Sequence, residues 1–331
     1  MNTPFALRRR ALLSLIASST ALAHAPRVLA ADPAWPSRTV RIIVPFAPGG
    51  GADTSARALA EAWAPLLGQA VIVDNKPGAG SAIGVVAAAQ SKDGHTLLMG
   101  SNSMVINPSL HAQIGYDVAK DFDAVGMVSA QPLVLVVPAS SSVQSINDLV
   151  AEGKAKPGSL SAGNSGNGTL AHITSEIFAA QTGITITTVP YKGESALLPD
   201  MIGGLVSFGF LNLPSVATHI KSGRLRALAV SSPQPSPDLP GVPTLRSLNY
   251  ASLEVQGWAA LLAPKGTIPA AGLARLETLL AQALASDSIK TRFATLNVTP
   301  VTMNRQATAQ FLQAETTRYA TVIKARGIKA D

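Results

Sequence analysis

The chain has 331 residues, no cysteine and a formal charge of +7, with 47% hydrophobic and 14% charged residues. Without cysteine there is no disulfide framework, no thiol nucleophile and no thiolate metal site. Four of the 26 basic residues and none of the acids fall within residues 1–30, so the remainder carries only a scattered +3, which excludes the basic footprint of a nucleic-acid binder. The first element is a leader: Arg8, Arg9 and Arg10 precede an apolar run over 11–23, and Val28-Leu29-Ala30 offers a small-residue cleavage site. That is the layout of a secretory signal peptide, too short to anchor in a bilayer. The arginines leave the general and twin-arginine export routes both open. A periplasmic location, with cleavage near Ala30, is the expectation.

The 301 residues that follow suit two domains. Thr39–Phe46 reads as a strand. Thr54–Leu67 reads as a helix, because Ala56, Leu59, Ala60, Trp63, Leu66 and Leu67 fall on one face, with Asp53 as its cap and Gly68 as its stop. Ala70–Asp74 is a strand, Ser81–Ser91 a helix and Thr96–Gly100 a strand. Leu133–Val137 is a lone apolar strand ended by Pro138. A second series follows: helix 145–154, strand 159–162, helix 169–181, strand 185–189, helix 194–203, strand 206–211, helix 214–222 and strand 226–231. Gly257–Ala263 is another lone apolar strand, and helices 269–285, 287–295 and 305–325 end the chain. Alternating βα units predict parallel sheets with helices on both faces. The expected fold is α/β, periplasmic binding protein-like: two doubly wound lobes joined by two crossing strands. Lobe 1 comprises 31–135 and 257–331, and lobe 2 comprises 136–256.

The chemistry lies between strand ends and helix starts. These loops are Pro45–Asp53, Asn75–Ser81, Ser101–Ser103, Gly163–Thr169, Pro190–Gly193 and Asn212–Pro214. In open α/β sheets a ligand sits beyond the carboxyl ends of the strands. There free backbone N–H groups and the positive ends of helices favour an anion, and glycine permits close approach. Each helix start is worth only ~0.3–2 kcal/mol, whereas a micromolar site needs about 8 kcal/mol, so several must act together. Asp53 sits where an anion would bind; it either caps its helix or meets the ligand through water or a donor.

Five segments carry a resemblance: Pro45-Phe46-Ala47-Pro48-Gly49-Gly50-Gly51-Ala52-Asp53, Asp74–Gly80, Asp93–Leu98, Val189-Pro190-Tyr191-Lys192-Gly193 and Gly223–Val230. Together with the ending Gly327–Asp331, they resemble the tripartite tricarboxylate transporter substrate-binding family, also called Bug receptors. The resemblance implies a Venus-flytrap fold, a periplasmic location, a small organic acid as ligand and membrane permease subunits as partners. It also implies that lobe-1 amides hold a ligand carboxylate, a role carried to Phe46, Gly50, Gly51 and Asp53. Ser101 and Asn102 match the third-strand loop, and Ser165 and Thr169 the Gly-rich loop of lobe 2. Ala47, Gly80, Asn164 and Asn212, from the same set of loops, complete the candidate ligand contacts. Ser207 and Leu211 replace two aspartates of the family's V-D-x-x-F-D-N-x-P-like stretch. That disfavours an amino-acid ligand, whose ammonium wants a counter-charge.

No cofactor, metal or nucleic acid is expected, and a monomer is the default. The nicotinamide fingerprint fails because Gly49-Gly50-Gly51 lacks G-x-G-x-x-G spacing. His172 and Glu176 share a helix face but lack a third ligand. The enzymatic alternative is a periplasmic hydrolase using Ser165, since Gly163-Asn164-Ser165-Gly166-Asn167 nearly makes G-x-S-x-G.

Overall fold

The computed structural model describes residues 35–329. The leader, Ala330 and Asp331 lie outside them. The elements are β1 (Val40–Val44), α1 (Gly51–Leu67), β2 (Val71–Asn75), α2 (Ala82–Ala89), β3 (Thr96–Ser101), α3 (Asn102–Leu110), α4 (Val118–Asp121), β4 (Phe122–Pro138), α5 (Ile146–Ala155), β5 (Leu160–Asn164), α6 (Leu170–Thr182), β6 (Ile186–Pro190), α7 (Glu194–Ile202), β7 (Gly209–Asn212), α8 (Leu213–Lys221), β8 (Leu225–Val230), β9 (Gln256–Pro264), α9 (Ala270–Ala285), α10 (Asp287–Thr295), β10 (Thr299–Pro300) and α11 (Arg305–Arg326). A single 3-10 turn, Ala79–Ser81, precedes α2.

Two lobes share one strand. The first sheet runs β10-β4-β9-β3-β1-β2. β4 meets β9 over Phe122–Pro132, and its second half, from Leu133 on, pairs with β7 and β8 of the second lobe. β5 pairs with β6, and a bridge from Ala162 to Phe208 brings that pair beside β7. The chain returns to the first lobe at β9. Both sheets are mixed rather than parallel: β1 runs parallel to β2 and β3, but β4 runs antiparallel to β7, β8, β9 and β10, and β9 is antiparallel to β3. The crossing strands, which are not part of βα units, supply the reversed direction.

Three apolar clusters hold the layers together. One face of the first sheet is covered by α1, α9 and α10, with Trp63, Leu59, Leu276 and Phe293 packed inside. The other face is covered by α2, α3 and α11, and that cluster continues over the second sheet to α5 and α6. Phe178 of α6 sits there edge-on to Phe208 and Phe210, with ring centroids 6.0 and 5.6 Å away. The third cluster joins the second sheet to α7 and α8. No helix among the described residues is long and apolar enough to cross a membrane.

Several sequence expectations change. β4 is 17 residues long, not a short strand at 133–137. Register shifts between Ala124 and Gly126 and between Met127 and Ser129 break the alternation that would have marked its first half. α3 contains Pro108 and begins Asn-Ser, so its sequence does not read as a helix. Leu66, placed on the buried face of α1, is 51% exposed, while Leu59, Trp63 and Leu67 are buried. Asp53 is not the cap of α1; Gly50 is, and Asp53 lies in the first turn.

Candidate functional site

Five helices begin at one cavity. Their cap positions are Gly50 for α1, Ser101 for α3, Thr169 for α6, Gly193 for α7 and Asn212 for α8. All five residues line a single cavity between the lobes, about 690 Å³ including its mouth. The first amides of a helix have no intrahelical acceptor and need one from elsewhere. Only Thr169 supplies it from its own side chain, accepting from the His172 N–H at 3.4 Å. Gly50, Ser101, Gly193 and Asn212 make no such bond. Pro214 removes one N–H from the start of α8, so the other helices carry more of the donor field. Among the described residues the buried Ser101 hydroxyl and Gln131 Oε1 have no hydrogen-bond partner. Phe46, Trp258, Leu170 and Ala259 supply apolar wall.

The loops are fixed from outside the cavity. The Asp53 carboxylate accepts from the Gly49 N–H (2.9 Å), from Arg57 Nε (3.0 Å) and from Asn75 Nδ2 (2.9 Å). Asn75 Nδ2 also donates to the Phe46 carbonyl at 3.0 Å, which ties the end of β2 to the turn after β1. Burial works to raise the Asp53 pKa, but the bonds from Arg57, Gly49 and Asn75 outweigh it and hold it below the ordinary range. Asp53 is thus an anchored anion that shapes the Phe46–Gly50 turn. The Asn102 side chain bridges to β9, donating to the Gln256 carbonyl (3.1 Å) and accepting from the Trp258 N–H (3.0 Å).

Of the residues singled out from sequence, Phe46, Ala47, Gly50, Gly51, Ser101, Asn102, Ser165, Thr169 and Asn212 line this cavity. Asp53, Gly80 and Asn164 do not. Gly80 lines a neighbouring pocket that shares Phe46 and Ser165 with the first. Asn164 is buried, and its Oδ1 accepts from the Gly166 N–H at 2.8 Å. Gly80 belongs to the contact between lobes: a Cβ there would lie 1.8 Å from the Asn167 carbonyl oxygen, and one on Gly168 would lie 1.7 Å from Asn107 Oδ1. Gly193 closes on Ala47 in the same way, at 3.2 Å. The lobes are shut on each other.

Sequence reasoning missed Gln131 and Glu194, which also line the cavity. Glu194 matters most. It follows the Tyr191-Lys192-Gly193 motif directly, opens α7, and is only 6% exposed. Its Oε1 accepts from the Asn212 backbone N–H (2.9 Å) and from Asn212 Nδ2 (2.8 Å), and Asn212 Oδ1 accepts from Gln131 Nε2 (3.4 Å). Burial, with no cation close by among the described residues, pushes the Glu194 carboxyl above the usual carboxylate range despite the two bonds from Asn212. The loss of the two aspartates at Ser207 and Leu211 therefore does not leave the second lobe without an acid at the site. The signal available in sequence was an acid at a helix start in a strand-end loop. Its burial was not readable there.

No hydrogen bond joins Ser165 to a histidine among the described residues. His172 is buried, and its Nδ1 accepts from the Gly168 N–H at 3.2 Å. No group of three His, Asp or Glu side chains gathers to hold a metal among the described residues.

Several known proteins share this fold. The chain is 39% identical to protein BugT of Bordetella pertussis over 321 residues, 96% of this chain and 98% of the relative. The solved structure of periplasmic binding protein BugD superposes with a TM-score of 0.85 at 30% identity, covering 89% of this chain and 99% of that one. R. palustris Rpa4515, solved with adipate, superposes with a TM-score of 0.84 at 32% identity, covering 89% and 99%. BugD is a binding protein and the family matched below is one of receptors, not enzymes, so the hydrolase reading of Ser165 falls. Residues 55–328 match the model described as "Tripartite tricarboxylate transporter family receptor", and the chain belongs to that family.

Proposed function

We propose that this protein is exported by its 1–30 leader and works in the periplasm. There it captures a small carboxylate, a di- or tricarboxylate or another organic acid, between lobes formed by 31–135 with 257–331 and by 136–256. It then presents the ligand, as a monomer, to the permease subunits of a tripartite tricarboxylate-type transporter. The observation that carries this reading is the convergence of five helix starts, four without a side-chain cap, on one cavity that no Lys, Arg or His lines among the described residues. Neutral donors arranged so can hold a carboxylate without an ion pair. Rpa4515, with adipate, is a relative whose ligand is of this class. Thermal-shift screening of the mature protein against adipate, succinate, malate, citrate and aspartate tests it. A ligand present at 100 times its Kd adds ~2.7 kcal/mol, about 5 °C for a chain of this size. A panel in which no carboxylate shifts the melting point while a neutral sugar does would refute the ligand class.

A further inference from the structure

Among the residues lining the cavity, Glu194 is the one that can ionise. The Asn212 N–H and Nδ2 both donate to its Oε1, and Oε2 accepts no hydrogen bond among the described residues. A carboxylate bound at the helix starts would bring a second negative charge into a cavity without a cation. Two carboxylates in one site cannot both stay ionised cheaply; each raises the pKa of the other. We propose that Glu194 is a specificity-determining residue of this cleft: it enters the complex as a neutral acid, donates a hydrogen bond from Oε2 to the bound carboxylate, and so couples binding to uptake of one proton from solvent. This rests on the carboxylate reading above.

The surroundings support it. Its own surroundings hold the Glu194 carboxyl above the ordinary carboxylate range, burial being the cause. On its own helix, Asp200 is taken by the Tyr191 hydroxyl at 2.7 Å. Of the packed elements, β5 and β7 carry no charged side chain, Asp123 of β4 is held by Lys265 at 3.0 Å, and His219 and Lys221 lie in the last turn of α8. Ala171 of α6 lines the same cavity, and beside it His172 accepts the Gly168 N–H and faces Glu176 at 4.0 Å. Burial lowers the His172 pKa, the opposite direction to Glu194, so any proton exchanged at His172 on binding has the opposite sign. Comparing wild type with Glu194→Gln separates the two.

Calorimetric titration of the mature protein with adipate, succinate, malate and aspartate, in HEPES and in Tris from pH 6.5 to 9, reads the linkage directly. The expected result is a binding heat that differs between buffers by uptake of up to one proton per bound dicarboxylate. Affinity should then fall as pH rises, by at most about tenfold per pH unit. Glu194→Gln should lose the buffer dependence and show a flat pH profile. Dicarboxylate binding with equal heats in both buffers across that range overturns the proposal, as does a Glu194→Gln protein that keeps the buffer dependence. Tight aspartate binding without proton uptake, abolished by Glu194→Gln, also overturns it, because an ionised Glu194 would then be pairing with the ammonium. Failure of every anion to bind wild type removes the carboxylate reading itself, a separate outcome.

Discussion

Gly80→Ala tests whether the closed contact between lobes is what makes the site. A methyl at Gly80 would sit 1.8 Å from the Asn167 carbonyl oxygen, a backbone atom that must retreat more than 1 Å to clear it. Asn167 precedes the start of α6, so the loop and the second lobe move off together. That lobe contributes three of the five helix starts, at Thr169, Gly193 and Asn212. At about 1 kcal/mol each, their loss amounts to ~3 kcal/mol, a weakening on the order of 100-fold in Kd. Gly80 also has φ +56°, so alanine there adds ~1 kcal/mol of backbone strain that has nothing to do with closure. Gly68→Ala and Gly183→Ala isolate that term: both glycines end helices at φ +67° and +71°, and a Cβ on either meets nothing within 4 Å. The two controls should lose ~1 kcal/mol of stability and keep their affinity within about twofold. Titration calorimetry gives Kd, and small-angle scattering should show wild type compacting with ligand while Gly80→Ala stays extended. A folded Gly80→Ala protein that binds as well as the controls would refute the reasoning.

Ser101→Ala removes a buried hydroxyl that has no hydrogen-bond partner among the described residues, so stability should hold or rise slightly while carboxylate affinity falls about tenfold by calorimetry. Asp53→Asn should cost about 1–3 kcal/mol in urea denaturation, since it weakens the grip on Gly49 and Arg57. Because the folded Asp53 value is depressed, its contribution is present above pH ~3.9 and disappears as pH falls through the folded value; loss of affinity at unchanged stability would instead place this carboxylate on the ligand. For Glu194 the sign reverses. The folded form binds its proton more tightly than the unfolded one, so wild-type stability declines as pH rises from ~4.3 through the folded value, each unit of displacement costing about 1.4 kcal/mol. Ligand-free Glu194→Gln should therefore melt higher than wild type at neutral pH, with the advantage gone in acid.

Local pattern was enough for most elements. The face of Ala56, Leu59 and Trp63 located α1, Gly68 stopped it, and the loops after β1, β5, β6 and β7 were recognisable as helix starts from local pattern alone. What stayed hidden depends on partners distant in the chain. Asp53 takes its role from Asn75, 22 residues away, and Gly80 from Asn167 across the cleft. The first half of β4 was masked by its own bulges, whose extra residues are accommodated only against β9. Glu194 looked like an ordinary acid at a helix start. Its meaning comes from the walls that dehydrate it, which belong to β7 and α8 as much as to its own helix.

A single strand woven through both sheets limits how the jaws can part. Separation must be absorbed as torsion near Gln131–Leu133 and at the return into β9, where Pro132 faces Gln256 with no amide of its own to break. Gln131 stands at that pivot and also forms part of the cavity wall, with one oxygen unclaimed. Whatever fills the cavity thus presses on the axle itself as well as on the rims.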